Sequence, residues 1–126
     1  MKKFNVTLGG LFNIRQAIVD NDIINLPFSR KGALAMARNM KKIDAELVEY
    51  GKERDELIRK YSDGGTSMDK SNPKWEEFIS EFNAISSVEA TIDLNLISED
   101  DLPENCSPAA CLVVDFMMDD KDNTEE

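Results

Sequence analysis

The stretch from residue 30 to residue 61, RKGALAMARNMKKIDAELVEYGKERDELIRKY, decides the fold. Ala33, Met36, Met40, Ile43, Leu47 and Tyr50 follow one another at gaps of three and four. Leu57 and Tyr61 extend the series after Arg54 takes the one position where it lapses. At ~3.6 residues per turn this spacing lays the apolar side chains along one helical stripe, a heptad seam. Pro27-Phe28 interrupts the chain ahead of it, and Ser29 is placed to cap the first turn with its hydroxyl. The expectation is one helix from Arg30 to about Tyr61, nearly 50 Å long at ~1.5 Å per residue. Lys42/Glu46, Lys52/Glu56, Asp55/Arg59 and Glu56/Lys60 are spaced to pair along its exposed side. Gly51 costs such a helix about 1 kcal/mol relative to alanine, so it marks a kink or a close helix contact.

Downstream, Ser62 to Ser67 reads as a loop. Asn72 then reads as the cap of a second helix with Pro73 at its first position and a stripe of Trp75, Phe78, Ile79, Phe82 and Ile85. A connection this short folds the two helices into an antiparallel hairpin. From Val88 the period drops to two. Val88, Ala90, Ile92, Leu94 and Leu96 alternate with Glu89, Thr91, Asp93 and Asn95, giving a strand with one dry and one acidic face. Ser98 to Pro103 is a turn, and Ser107-Pro108 opens a last helix with Cys111 or Leu112 and Phe116 inward.

Upstream, Phe4, Val6 and Leu8 alternate with Asn5 and Thr7 as a second strand, stopped by Gly9-Gly10. A helix with Leu11, Ile14, Ala17 and Ile18 inward runs from there to about Val19. A lone strand leaves its backbone unsatisfied, so the two strands are expected to pair. The fold class is α+β: helix-dominated, a long helical hairpin packed with a small two-stranded antiparallel sheet. Residues 1–118 form one domain, and 119–126, rich in acids and free of apolar residues, form a disordered acidic tail.

Composition excludes several chemistries. The chain of 126 residues has no histidine, the commonest general acid–base group and nucleophile partner. Its two cysteines, Cys106 and Cys111, cannot complete a tetrahedral zinc site, and five positions apart in a helix they diverge, which disfavours a bridge. They read as small apolar core or interface residues. No catalytic, cofactor-binding or metal-ligating set stands out, so no cofactor is expected. Leu8-Gly9-Gly10-Leu11 lacks the glycine spacing of a phosphate-binding turn, and the acids after Asp119 lack the glycine and terminal glutamate of a calcium loop. No apolar run approaches the ~20 residues that span a bilayer, and the N-terminus shows no signal-peptide core. The expected location is the cytoplasm, away from membranes.

Charge is unevenly divided. Residues 1–61 carry 12 basic and 8 acidic side chains, residues 62–126 carry 3 basic and 17 acidic, and the net charge is −10. That balance argues against a general nucleic-acid binder. Arg30, Lys31, Arg38, Lys41 and Lys42 nevertheless crowd the start of the long helix, where the helix dipole disfavours them, and Lys31, Arg38 and Lys42 can share a face. They are the candidate interaction residues. Met36, Met40, Ile43, Leu47 and Tyr50 are the candidate seam for a homo-oligomer.

The ordered series of motifs resembles a family of short, uncharacterised proteins encoded by tailed phages and prophages. It comprises the Leu26-Pro27-Phe28 turn, AMARNMKKIDAELVEYGKERDELIRKY at 35–61, a glycine-containing loop and EEFISEFNAI at 76–85. VEATIDLNLISEDDL at 88–102 and the SPAA helix start at 107–110 complete it. The resemblance covers most of residues 1–118. It implies an accessory protein made inside an infected bacterium and transfers no catalytic residue; the acidic tail is not part of it. The expected function is a non-enzymatic interaction protein that binds a protein partner, phage or host, in particle assembly or in obstruction of a host component. The alternative is a nucleic-acid-associated factor using the basic stripe, or a nucleic-acid mimic using the acidic C-terminal half.

Overall fold

The computed structural model describes residues 1–119. Strand β1 (Lys2–Thr7) leads directly into helix α1 (Leu8–Asp20), followed by the long helix α2 (Arg30–Tyr61) and helix α3 (Trp75–Ser86). Strand β2 (Glu89–Leu94) and the short helix α4 (Pro108–Val114) complete the order, with single 3-10 turns at Ile23–Asn25, Glu99–Asp101 and Asp115–Met117. β1 and β2 pair antiparallel, from Lys2 opposite Leu94 to Thr7 opposite Glu89. The α+β architecture, the helical hairpin of α2 and α3 and the closing sheet are as the sequence pattern predicts. Asp119, assigned by composition to the tail, still belongs to the fold: its N–H donates to the Ile97 carbonyl (2.9 Å). Residues 120–126 of that tail lie outside the described residues.

The core gathers Leu11 and Ile18 of α1, Ile43, Leu47 and Tyr50 of α2, Ile92 and Leu94 of β2, and Val114 with Met117 beyond the sheet. Phe4 of β1 meets Phe116 with ring centroids 5.0 Å apart, which fastens the sheet to the C-terminal segment. Ile23 is also fully buried, in the turn after α1 where no period marked it.

Several elements start or face differently from expectation, each for a local reason. Gly9 and Gly10 do not end the strand; they form the first turn of α1, because the Thr7 hydroxyl accepts from the Gly10 N–H (3.1 Å) and caps the helix there. A Cβ on Gly9 would stand 2.9 Å from Cβ of Ser86, so the glycine lets α1 start against the end of α3. Asn72 does not cap α3, which begins at Trp75. Its Oδ1 accepts from the Lys74 N–H, while its Nδ2 donates to the carbonyl of Tyr61 (3.1 Å) and so closes the end of α2. In α4 the inward residues are Ala110, Val114 and then Met117, while Cys111 is exposed and Leu112 is 79% exposed. None of the four i,i+4 pairs on α2 forms; Lys60 instead reaches Glu81 of α3 (3.5 Å).

Gly51 marks no close contact, since a Cβ there would meet nothing within 4 Å. With helical geometry on both sides and open space outside, Gly51→Ala is expected to raise stability by about 0.5–1 kcal/mol. A chemical-denaturation midpoint unchanged or lowered would show that α2 needs flexibility at that point.

Candidate functional site

The seam lies inside the chain. Met36, Ile43, Leu47 and Tyr50 are buried and Met40 is half-buried, packed among α1, α3 and the sheet. A gap pattern of three and four describes a helix's buried stripe in a single domain as well as a coiled-coil seam, and here the partners come from the same chain. The assignment of these five residues to an oligomer contact is therefore corrected. Ala33 falls outside the stripe and is exposed, whereas Asn39, a polar residue, is fully buried within it. At the position where the apolar series lapses, the Arg54 guanidinium lies 5.3 Å from the centre of the Phe12 ring, so its stem and planar head do the covering that an apolar residue does elsewhere.

The basic residues divide into two groups. Arg30, Lys31, Arg38 and Lys41 are exposed, and among the described residues they form no ion pair. At about 100° per residue they occupy about a third of the helix circumference, on the side away from the core. Lys42 is different. It is half-buried and its Nζ donates to the Asp93 carbonyl (2.6 Å), tying α2 to β2.

A site that the division into basic and acidic halves concealed lies farther along α2. Beyond Lys42 the same helix turns acidic, with Glu46, Glu49, Glu53 and Glu56. Between α2 and α3, a groove of about 350 Å³ has Leu57, Ala84 and Ile85 as its apolar floor and Glu53, Glu56, Lys60 and Glu81 around it. A second groove of about 510 Å³ shares Glu53 and Ile85 with the first and continues past Glu46 and Glu49 to Val88 and Glu89 at the start of β2. The two grooves adjoin at Glu53 and Ile85, and six carboxylates and a single lysine are among their lining residues. Val88, in the second groove, is 52% exposed.

At the first groove three polar groups form a cluster. The Tyr61 hydroxyl donates to Oε2 of Glu81, and Lys60 lies 3.5 Å from the same oxygen. The hydrogen bond from Tyr61, aided by the charge of Lys60, holds the Glu81 carboxyl below its usual range. The same bond pushes the Tyr61 hydroxyl up, and Lys60 is raised by its contacts with Tyr61 and Glu81. All three groups thus keep their ordinary neutral-pH states, with the lysine shared between Tyr61 and Glu81. The remaining carboxylates set the sign of the groove.

Among the described residues no group of three histidine, cysteine or acidic side chains could hold a metal ion. No helix among them is long and apolar enough to cross a membrane. The cysteine pair departs from expectation: Cys106 precedes α4 instead of lying in it, and the two sulfurs are 3.5 Å apart. The chain matches no known protein family, no curated protein and no solved structure.

Proposed function

We propose that this chain is a non-enzymatic interaction protein that holds a basic, amphipathic segment of a protein partner in the adjoining acidic grooves between α2, α3 and the start of β2. One observation carries the reading: Leu57, Ala84 and Ile85 lie in a groove with Glu53 and Glu56 of α2 and Glu81 of α3, and an adjoining groove shares its Glu53 and Ile85. An apolar floor takes the buried side of a peptide, and a rim of one sign selects lysine- or arginine-rich sequences and speeds their encounter. The phage resemblance gives the setting: an accessory protein in the cytoplasm of an infected bacterium, acting on a phage or host component.

A second reading has its own support, the exposed Arg30, Lys31, Arg38 and Lys41 on one outward face of α2, which form no ion pair among the described residues. Such a stripe suits phosphate contacts, so nucleic-acid association stays as the alternative.

Charge reversals separate the two. The tagged chain, its Glu53→Lys/Glu56→Lys variant and its Arg38→Glu/Lys41→Glu variant are each used to capture proteins from bacterial lysate with and without nuclease, read by mass spectrometry. The expected result is one near-stoichiometric basic partner, retained by the stripe variant and lost by the groove variant, with affinity for the purified partner reduced about tenfold or more. Capture that disappears with nuclease, or with the stripe variant alone, overturns the groove reading in favour of nucleic acid.

A further inference from the structure

Cys106 and Cys111 lie on either side of the Ser107 cap that starts α4. The Cys106 N–H donates to the Pro103 carbonyl (3.2 Å), and the Cys111 N–H donates to the Ser107 carbonyl (3.0 Å). The first bond curls the chain before the helix and the second closes the helix's first turn, so the two side chains converge. The Cys111 thiol donates to the Cys106 sulfur at 3.5 Å. Cys106 is half-buried beside the core, whereas Cys111 is exposed. A disulfide needs ~2.05 Å between sulfurs, so closure asks for a shift of about 1.5 Å, within reach of side-chain rotation and a small adjustment of the turn.

We propose that Cys106 and Cys111 are a reversible modification site, forming an intramolecular disulfide by exchange with a low-molecular-weight disulfide such as oxidised glutathione. Cys111 is the point of entry because it is exposed. It gives its proton to solvent, and its thiolate attacks one sulfur of the small disulfide. That S–S bond breaks, one small thiolate leaves and takes up a proton, and Cys111 carries the other half as a mixed disulfide. Cys106 then loses its proton and attacks the Cys111 sulfur; the bond to the small group breaks and the second small thiol departs. Two cysteine thiols are oxidised and one small disulfide is reduced to two thiols. Excess small thiol reverses the sequence. Burial, then the contact with Cys111, pushes the Cys106 thiol up, which suits the resolving partner and not the first attacker.

The bridge would fasten the turn after Pro103 to α4. That turn follows directly on Asp101, whose carbonyl accepts the Ser29 N–H (3.1 Å) at the start of α2. The ring so closed is short, which makes it a local clamp on the C-terminal segment. The inference does not depend on what occupies the acidic grooves.

The full chain is equilibrated in buffers of varied reduced-to-oxidised glutathione ratio, quenched with an alkylating reagent and weighed intact. The expected product is a monomer lighter by two hydrogens with no alkylated thiol, reopened by excess reduced glutathione. Cys106→Ser should stop at one stable glutathione adduct, and Cys111→Ser should react at least about tenfold more slowly, reflecting the half-buried thiol left at Cys106. Circular dichroism confirms that both serine variants are folded. Wild-type protein that accumulates glutathione adducts or disulfide-linked dimers without the internal bridge overturns the proposal, as does equal reactivity of the two serine variants.

Discussion

Asn39→Leu is expected to lower the stability of the fold by about 2–4 kcal/mol, read from urea denaturation. Asn39 is fully buried in the stripe of α2 that otherwise carries apolar residues. Its amide serves one backbone unit completely: Nδ2 donates to the Asn95 carbonyl (2.8 Å) and Oδ1 accepts from the Asn95 N–H (2.7 Å). Asn95 lies immediately past the end of β2, where the ladder with β1 has stopped. The side chain therefore stands in for a neighbouring strand. Leucine fits the space approximately and gains some apolar burial, but it leaves a donor and an acceptor without partners, at about 1–3 kcal/mol each. That loss outweighs the gain. A change below about 0.5 kcal/mol would show that water or a shifted backbone can serve Asn95 equally well.

Gly32→Ala should destabilise by about 1–2 kcal/mol, although alanine is the better helix former by about 1 kcal/mol. Gly32 is buried in the first turn of α2, and a Cβ there would stand 2.9 Å from the Asp101 carbonyl oxygen and 3.0 Å from Asp101 Cβ. The obstacle includes backbone, and it is already held in place. The Ser29 N–H donates to the Asp101 carbonyl, while the Ser29 hydroxyl donates to Asp101 Oδ1 (2.7 Å) and accepts from the Gly32 N–H (3.1 Å). A methyl group displaces the 98–102 segment and strains these bonds together. The same substitution at Gly51 has the opposite expected sign. The pair is thus an internal control: a stabilising Gly32→Ala would mean that the segment does not dock on α2 as described.

Both residues illustrate what was legible in the sequence. The extent of α2 was, because Ser29 marks its start and the apolar period continues to Tyr61. The pairing of β1 with β2 was, because two alternating segments each lacked another partner. Asn39 was not, since a polar residue in an apolar stripe declares no partner until the backbone it serves is in place. The acidic grooves were not, because their carboxylates come from the second half of α2, from α3 and from the start of β2, and the charge count divided the chain just after α2. Of the residues expected inward near α4, Phe116 packs against the core while Cys111 and Leu112 do not, because a seven-residue helix running into a 3-10 turn holds no single period. The sulfurs of Cys106 and Cys111 were expected to diverge only because both were assumed to be helical.

The sheet imposes a delay on the newly made chain. Lys2 pairs with Leu94, so β1 leaves the ribosome well before β2 and waits for it before it has a neighbour. At ~5–20 residues per second that interval is on the order of ten seconds. Three helices emerge meanwhile, and an unpaired strand in that period is open to pairing with other nascent chains. Lys2 and Lys3 at its head carry like charge against another copy of the same strand. These two charges guard the interval before β1 can meet β2.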